Sequence, residues 1–309
     1  MRIVFMGTPE YSVETLKALI KAGHDVKAVF AQPDKPVGRK QILTAPPVKV
    51  YAIEHNIPVY QPAKIKNNDE VLSVFKNIDA DIIVVVAYGK ILPKEILNMY
   101  KFGCINGHAS LLPKYRGASP IQWAVVNGET QTGVTVMQMD EGMDTGDIID
   151  NCKVEISDND TADSMFDKLA PVSAELTVKV LESIENNTAD KHKQDEEKAT
   201  YAPIIKKEMA HLDFNKNAHT VRCAVRGYYS WPCAFFFFKN KRIKVIECSE
   251  AKGIGIEAGE LKAINKELFV SCGDNTAVRL DIIQPEGSKA MKASDWLNGN
   301  SIQNGERAK

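Results

Sequence analysis

The amino-acid sequence predicts an α/β protein in which a doubly wound, mostly parallel sheet is followed by a smaller C-terminal β-barrel. Three features of the 309-residue chain support this prediction. Short apolar segments alternate with helical segments in the first half, as in parallel sheets with right-handed crossovers. A highly charged stretch covers residues 185–198. Beyond residue 207, short apolar segments are separated by turn residues, which is typical of antiparallel strands.

The predicted sheet starts at the N-terminus. Residues 2–6 form a short apolar strand that ends at Gly7, and residues 14–22 form a helix that Gly23 stops. The alternation is completed by strands at 26–31, 59–60 and 81–87 and by a helix at 47–55. The last of these strands is continuously apolar, which is typical of a central parallel strand. Because ligands bind at the carboxyl ends of such strands, we expect the functional site to follow them.

The second half of the chain predicts the division into domains. Residues 162–184 have an amphipathic helical pattern that Pro171 should break or kink. The charged residues that follow have the composition of a linker or of a solvated excursion. We therefore predict a first domain over 1–189, a linker over 190–206 and a second domain over 207–309. Barrel strands are expected at 234–238, 243–248, 267–272 and 277–283.

The composition argues against several classes of protein. No apolar run reaches the length of a membrane span, and the N-terminus enters a strand without a basic presequence, so we expect a cytoplasmic protein. The six cysteines contain no CxxC pair, which argues against a zinc site or a disulfide framework. Residues 207–309 carry 16 basic and 12 acidic residues, against 23 and 28 before them. The sign of this excess suits a phosphate backbone as the partner of the second domain.

Three polar residues form the candidate site. Asn106 and His108 are two positions apart at the end of an apolar run, so their side chains share one face of a strand. An amine that attacks a formyl carbon builds an oxyanion and an ammonium, which need a hydrogen-bond donor and a proton acceptor. A carboxylate such as Asp144 would fix the imidazole tautomer or raise its basicity, directly or through a water. Each residue alone is more often a turn residue, but together they favour acyl transfer between nitrogens. Cys104, in the same strand, is expected to pack and not to act as a nucleophile.

The string from Asn106 through Arg116-Gly117 to Asp144-Thr145-Gly146-Asp147 resembles the folate-dependent formyltransferases. The resemblance implies that Asn106, His108 and Asp144 are catalytic, in a Rossmann-like formyltransferase core with an OB-like C-terminal barrel. The chain departs from the family at Gly107, where a branched apolar residue is usual; glycine there would loosen the strand but spare the three side chains.

A narrower resemblance points to the branch of this family that formylates methionyl-tRNA. It is carried by Gly7-Thr8-Pro9 and by the segments 32–36, 38–39, 84–89, 136–140, 284–285 and 297–299. It implies transfer of the formyl group of 10-formyltetrahydrofolate to the α-amine of initiator methionyl-tRNA by a monomer. No metal is expected, because this transfer requires only positioning, charge stabilisation and proton movement.

The same resemblance implies the binding residues. The folate pocket would be lined by three segments, which consist of Tyr88, Gly89, Lys90, Ile91, Leu92, Ser110, Leu111, Leu112, Pro113, Met139, Asp140, Glu141 and Gly142. A polar loop over 32–49 matches an inserted loop that enters the acceptor stem in these enzymes. The expected tRNA contacts are Lys35, Arg39, Lys40, Lys206 and Lys207, and Arg39 leads them because guanidinium offers a planar fork. The four aromatics at 235–238 are expected to be a buried strand, with a base-stacking platform as the alternative.

Three other functions compete with this one. A formyltransferase for a sugar nucleotide or small amine would leave the C-terminal domain without a task, and Gly7-Thr8-Pro9 lacks a longer glycine-rich phosphate loop. A dinucleotide-dependent oxidoreductase would need G-x-G-x-x-G after the first strand, which is missing. A purely nucleic-acid-binding protein would explain the basic loop but leaves Asn106, His108 and Asp144 without a role.

Overall fold

A computed structural model describes residues 1–38 and 40–309. These residues form two compact units, each drawn from several stretches of chain. The first unit contains residues 1–120, 132–155 and 166–202, and the second contains 121–131, 156–165 and 203–309. The division into sequence-continuous domains about a linker at 190–206 stays a prediction.

The described residues form fifteen strands and eight α-helices. In chain order these are β1 (Arg2–Gly7), α1 (Glu10–Lys21), β2 (Asp25–Phe30), β3 (Lys35–Val37), β4 (Ile42–Thr44), α2 (Pro47–Glu54), β5 (Val59–Tyr60), α3 (Asp69–Asn77), β6 (Ile82–Val86), α4 (Lys94–Leu97), β7 (Cys104–His108), α5 (Pro120–Val126), β8 (Gln131–Gln138), β9 (Ile148–Glu155), α6 (Ala162–Glu185), α7 (Ala218–Gly227), β10 (Phe235–Phe238), β11 (Lys241–Lys252), β12 (Leu261–Ile264), β13 (Glu267–Cys272), β14 (Thr276–Pro285), β15 (Met291–Lys292) and α8 (Ala293–Leu297).

The first unit is built on a seven-stranded sheet in the order β5-β2-β1-β6-β7-β8-β9. The strands from β5 to β7 pair in parallel, and β7 pairs antiparallel with β8. The chain winds outward in both directions from β1, so the predicted doubly wound, mostly parallel sheet is confirmed. The carboxyl ends of β1, β6 and β7 lie at one edge, and this edge carries the candidate site.

The central strands are apolar because they are covered on both faces. All five residues of β6 are buried, as are the last five of β1. One face packs on a cluster in which the Phe30 and Phe75 rings stack with centroids 4.3 Å apart. A rigid, dehydrated sheet of this kind holds the residues at its carboxyl edge in fixed positions.

Two predicted helices differ from the observed ones. Helix α1 begins at Glu10, four residues earlier than predicted, because Pro9 is extended at the N-cap and Glu10 favours the first turn. Helix α6 runs through Pro171 without a break. Buried Leu169, Ala170 and Ala174 around the proline anchor the helix, and this packing outweighs the one backbone hydrogen bond that proline cannot make.

The second unit contains an antiparallel sheet in the order β10-β11-β14-β13-β12. The C-terminal residues bridge its two outer strands. Leu261 N donates to the Glu306 carbonyl at 2.9 Å, and Lys309 N donates to the Phe237 carbonyl at 2.8 Å. The sheet is therefore closed by the chain terminus, and the predicted small barrel is confirmed. Three of the four aromatics of β10 are buried, whereas Phe237 is 41% exposed.

The described residues contain neither a membrane-spanning candidate nor a metal cluster. Across residues 1–38 and 40–309, no helix is both long enough and apolar enough to traverse a bilayer. In the same ranges, no group of three or more His, Cys, Asp or Glu side chains is arranged to hold a metal ion. All six cysteines are free. Burial raises the pKa of the Cys104 thiol to about 12, so this thiol stays protonated and packs.

Candidate active site

The three candidate catalytic side chains meet at the carboxyl edge of the sheet. Asn106 and His108 project from β7, and Asp144 lies on the turn between β8 and β9. The Asn106 Nδ2 donates to Asp144 Oδ1 at 3.4 Å, and His108 Nδ1 lies 3.7 Å from Asp144 Oδ2. Asn106 is half-buried, while only 6% of His108 and 16% of the Asp144 side chain are exposed. The arrangement places an amide donor, an imidazole and a carboxylate in one cluster.

A backbone carbonyl fixes the tautomer of His108. The Nε2 atom lies 2.9 Å from the Tyr115 carbonyl oxygen. A carbonyl oxygen can only accept, so Nε2 carries the proton. In the neutral ring Nδ1 is then unprotonated and faces the carboxylate of Asp144. We expected Asp144 to fix the tautomer or to raise the basicity of the ring; the tautomer is set by Tyr115, and the effect of Asp144 on the basicity stays a prediction.

Asp144 is held through its side chain and its backbone. Its Oδ2 accepts from Gly117 N at 2.8 Å. Its backbone is left-handed, with φ at 55°, a conformation that aspartate adopts more readily than most residues. The Asp144 and Gly146 carbonyls both accept from Gln194 Nε2, at 2.8 and 2.7 Å. Both the position and the direction of the carboxylate are therefore determined.

The sequence did not reveal the residues that support Asp144. The Arg116 side chain is fully buried, and it donates to Gln194 Oε1 from Nε and Nη2, at 3.0 and 2.8 Å. It also forms a bidentate ion pair with Glu196, with both contacts at 2.8 Å. The hydrogen bond to Glu196 raises the pKa of Arg116 and lowers that of Glu196. Gln194 and Glu196 lie in the stretch that we predicted to be a linker or a solvated excursion. The only sequence signal was Arg116, within the string that resembles the family.

The first predicted folate segment, residues 88–92, is tied to the neighbouring strand ends. The Tyr88 carbonyl accepts from Gln32 Nε2 at 2.9 Å, and Gly89 has φ at 79°. Lys90 Nζ donates to the Pro62 and Ala63 carbonyls at 2.6 and 2.7 Å. Burial, and then the charge of Lys35, lower the pKa of Lys90.

The side chains of this segment point in different directions. Tyr88 and Leu92 are buried in the core cluster, and burial raises the pKa of the Tyr88 hydroxyl. Ile91 is 75% exposed. A ligand at this edge would therefore meet the Ile91 side chain and the backbone, and not the phenol ring of Tyr88.

The second predicted folate segment, residues 110–113, is held by hydrogen bonds to neighbouring parts of the chain. Ser110 Oγ donates to the Lys114 carbonyl at 2.6 Å, and Leu112 N donates to Thr135 Oγ1 at 3.1 Å. Leu111 is half-buried, and the Pro113 carbonyl accepts from Thr200 N at 3.2 Å. This loop is thus anchored to β8 and to the chain around residue 200.

The segment 139–142 begins the turn that carries Asp144. Met139 N donates to the Cys104 carbonyl at 2.8 Å. Asp140 Oδ1 accepts from Gly142 N at 3.0 Å and from Thr145 Oγ1 at 2.7 Å. Glu141 pairs with Lys94 at 2.8 Å on the surface. The two acidic side chains are therefore engaged within the protein.

The predicted tRNA contacts fall in both units. Lys35 lies in β3 and Lys40 lies in the turn between β3 and β4, and both are exposed. Arg39 lies outside the described residues. Lys206 and Lys207 are exposed at the start of a 3₁₀ turn in the second unit.

Gly107 has a packing role that its departure from the family pattern did not suggest. A Cβ atom at this position would lie 2.9 Å from Ser173 Oγ and 3.5 Å from Thr177 Oγ1, both on α6. These hydroxyl residues fill the space that a branched residue would need. Gly107, which lies between Asn106 and His108 in the sequence, therefore lets α6 pack closely against β7.

Gly107→Val should destabilise the protein. Overpacking of this kind costs about 1–3 kcal/mol in free energy of unfolding, which urea titration measures. Ser173→Ala removes the nearest atom and should restore part of the loss. Gly299→Val is the matched control, since a Cβ there meets nothing within 4 Å. Equal stabilities of the Gly107 and Gly299 variants would contradict the packing role.

Comparison with known proteins identifies the family. The model of the formyl transferase domain matches residues 1–181, and the model of the formyl transferase C-terminal domain matches residues 204–301. The chain belongs to the formyl transferase family. It is 45% identical to methionyl-tRNA formyltransferases of Caldanaerobacter subterraneus, over 99% of both chains, and of Lachnospira eligens, over 99% of this chain and 98% of the relative.

Solved structures of formyl transferases share the fold. WlaRD, a sugar 3N-formyl transferase solved with dTDP and 5-N-formyl-THF, matches with a TM-score of 0.70 and 23% identity, over 94% of this chain and 99% of that one. A methionyl-tRNA formyltransferase from Clostridium thermocellum matches with a TM-score of 0.55 and 19% identity, over 81% and 93%. The predicted family and fold class are confirmed, and the chain is an enzyme of the formyl-transferring class.

Proposed function

We propose that the chain transfers the formyl group of 10-formyltetrahydrofolate to the α-amino group of initiator methionyl-tRNA. The observation that carries the proposal is the cluster of Asn106, His108 and Asp144, with contacts of 3.4 and 3.7 Å, at the ligand-binding edge of the sheet. The cluster supplies the groups that an amine-to-formyl reaction needs. The acceptor follows from the full-length relatives, which are methionyl-tRNA formyltransferases.

The proposed roles follow from the protonation states. The folate, when bound, supplies the formyl group. As the amine adds to the formyl carbon, Asn106 Nδ2 donates to the oxygen on which negative charge develops. His108 Nδ1 accepts the proton that the attacking nitrogen must lose. Asp144 stabilises the imidazolium that results. His108 then returns this proton to the departing N10 nitrogen as the old carbon–nitrogen bond breaks, which leaves formylmethionyl-tRNA and tetrahydrofolate.

The folate would lie against the three segments predicted for it. Two of their features fit a flat heterocycle with a flexible tail. The backbone of residues 88–92 is rigidly tied, and Ile91 presents an exposed apolar side chain beside it. On the turn of Asp144, Met143 is also 56% exposed. Ligand pockets usually combine apolar side chains with a few backbone polar groups. Such a pocket could place apolar side chains against the faces of the pterin and backbone groups along its edge.

The proposed acceptor is tested by a formylation assay. Wild-type enzyme with 10-formyltetrahydrofolate should formylate charged initiator tRNA and discriminate against charged elongator tRNA. A sugar nucleotide carrying an amino group, tested in parallel, should remain unmodified. Formylation of the sugar together with inactivity on methionyl-tRNA would reject the proposal.

Asn106→Ala should remove the donor to the oxyanion. Loss of one such donor costs about 3–4 kcal/mol of transition-state stabilisation, or a factor of roughly 100 to 1,000 in kcat. Single-turnover rates and the folate dissociation constant should be measured on the same preparation. A change confined to the dissociation constant would show that Asn106 holds the folate and takes no part in the reaction.

The hairpin lysines should contribute salt-dependent binding of tRNA. Each of Lys35→Ala and Lys40→Ala should weaken binding modestly and lower the slope of log affinity against log salt by about one. Lys27→Ala is the control, because Lys27 lies in β2 and pairs with Asp25. Equal salt slopes for all three variants would remove the hairpin from the interface. The leading role of Arg39 stays a prediction.

A further inference from the structure

Two consecutive residues fix Asp144. Gly117 contacts its side chain directly, and Arg116 fixes its backbone through Gln194. The backbone N–H of Gly117 donates to the carboxylate of Asp144 at 2.8 Å. The Arg116 side chain holds Gln194, which donates to the Asp144 and Gly146 carbonyls. The carboxylate and the peptide that carries it are thus fixed from one short stretch of chain.

The orientation of the Gln194 amide is determined by its partners. Its oxygen accepts two N–H groups of Arg116, at 3.0 and 2.8 Å, and guanidinium has no acceptor. Its nitrogen faces two carbonyl oxygens, which cannot donate. A flipped amide would oppose like groups on both sides. Only one orientation of the Gln194 amide makes all four hydrogen bonds. That orientation requires the carbonyls of Asp144 and Gly146 to point at its nitrogen.

The turn needs such support because it is strained and tightly packed. Asp144 has a left-handed backbone. At Gly146 an added Cβ would lie 1.7 Å from the Gln138 carbonyl oxygen, so the chain passes close to the end of β8. A left-handed conformation at a non-glycine residue is unfavourable and persists only where the surrounding contacts impose it. The two hydrogen bonds from Gln194 to the Asp144 and Gly146 carbonyls are the contacts that hold the backbone of residues 144–146 from the side of Arg116.

We propose that Gln194 is a positioning residue for formyl transfer. Its amide, oriented by buried Arg116, keeps the turn of residues 144–146 in the conformation that directs the Asp144 carboxylate at His108. Glu196 neutralises the buried guanidinium from the exposed side. The chemical step thus depends on a residue that lies 50 positions beyond Asp144 along the chain. This inference rests on the proposed function.

Gln194→Glu separates positioning from folding. The carboxylate keeps the shape of the side chain and strengthens the contact with Arg116, so the fold is retained. It cannot donate to the Asp144 and Gly146 carbonyls, and it repels them. We expect kcat to fall by about 100-fold, the effect of displacing a reacting group by roughly 1 Å. The folate dissociation constant should match wild type. The midpoint of thermal unfolding should fall, because two buried carbonyls lose their donor, so rates are measured on folded enzyme well below that midpoint. Glu197→Gln, an exposed residue in the 3₁₀ turn that follows Gln194, is the control.

A double-mutant cycle with Asp144→Asn shows whether Gln194 acts through Asp144. If it does, adding Gln194→Glu to Asp144→Asn should lower the single-turnover rate little further, because the group being positioned is already lost. A structural role elsewhere would give multiplicative losses. Gln194→Met removes the donor to the two carbonyls without adding a charge, and it also removes the acceptor of Arg116; it should repeat the result.

The outcomes distinguish this inference from the proposed function. Wild-type enzyme that does not formylate methionyl-tRNA would overturn the proposed function. Wild-type turnover combined with an undiminished kcat in Gln194→Glu, or with multiplicative losses in the cycle, would overturn the positioning role alone. A fall in folate affinity that accounts for the whole rate loss would also overturn it.

Discussion

His108→Ala should lower kcat by a factor of about 100 to 10,000, the usual cost of removing a general base. Among the three side chains the imidazole is the one suited to proton transfer, because histidine is the side chain that most often serves as a general base. Its Nδ1 is unprotonated in the tautomer that Tyr115 fixes, so it can accept the proton of the attacking amine. The folate dissociation constant should be unchanged, because His108 moves a proton in this role and does not bind the pterin.

The measurement must separate chemistry from stability. Removing the ring deletes the hydrogen bond to the Tyr115 carbonyl and leaves a space where a buried side chain stood, both of which lower the free energy of unfolding. Single-turnover rates should therefore be taken well below the unfolding transition, together with folate binding. His55→Ala is the control, since His55 is exposed on the surface at the end of α2. Near-wild-type turnover of the His108 variant would remove this residue from the mechanism.

The sequence predicted the sheet well because its central strands are signalled locally. After Arg2, the residues of β1 are buried and apolar, as are all residues of β6, because these strands are covered on both faces. The barrel strands were likewise visible between turn residues. The closure of the barrel by residues 306–309 was not, because it depends on backbone pairing between segments far apart in the chain and leaves no periodic pattern.

The candidate site was predictable only in part. Asn106 and His108 follow from strand alternation, but nothing local brings Asp144 to them; that link came from resemblance to a family. Gln194 escaped because a single glutamine in a charged stretch looks solvated, and only its long-range contact with buried Arg116 makes it part of the site. Gly107 was interpreted as a weakness of the strand, whereas its meaning depends on Ser173 of α6.

Asp144→Asn tests whether the carboxylate has a role beyond shaping the turn. Asparagine keeps the size of the side chain and tolerates the left-handed backbone. However, Asp144 accepts from Gly117 N with one oxygen and from Asn106 Nδ2 with the other. An asparagine amide can accept with only one of its two atoms, so one of these contacts becomes donor against donor. The variant also loses the negative charge that stabilises the imidazolium of His108.

We therefore expect Asp144→Asn to fold but to lose a factor of about 1,000 or more in kcat, comparable to the loss of a general base. Thermal unfolding and folate binding serve as controls on the same preparation. The pH profile adds a discriminating measurement, since a carboxylate that stabilises the protonated ring influences the pH at which activity is gained. A folded variant with an unchanged rate and an unchanged pH profile would mean that Asp144 only shapes the turn. In that case His108 would have to accept the proton without electrostatic help from Asp144, and Gln194 would have no catalytic carboxylate to position.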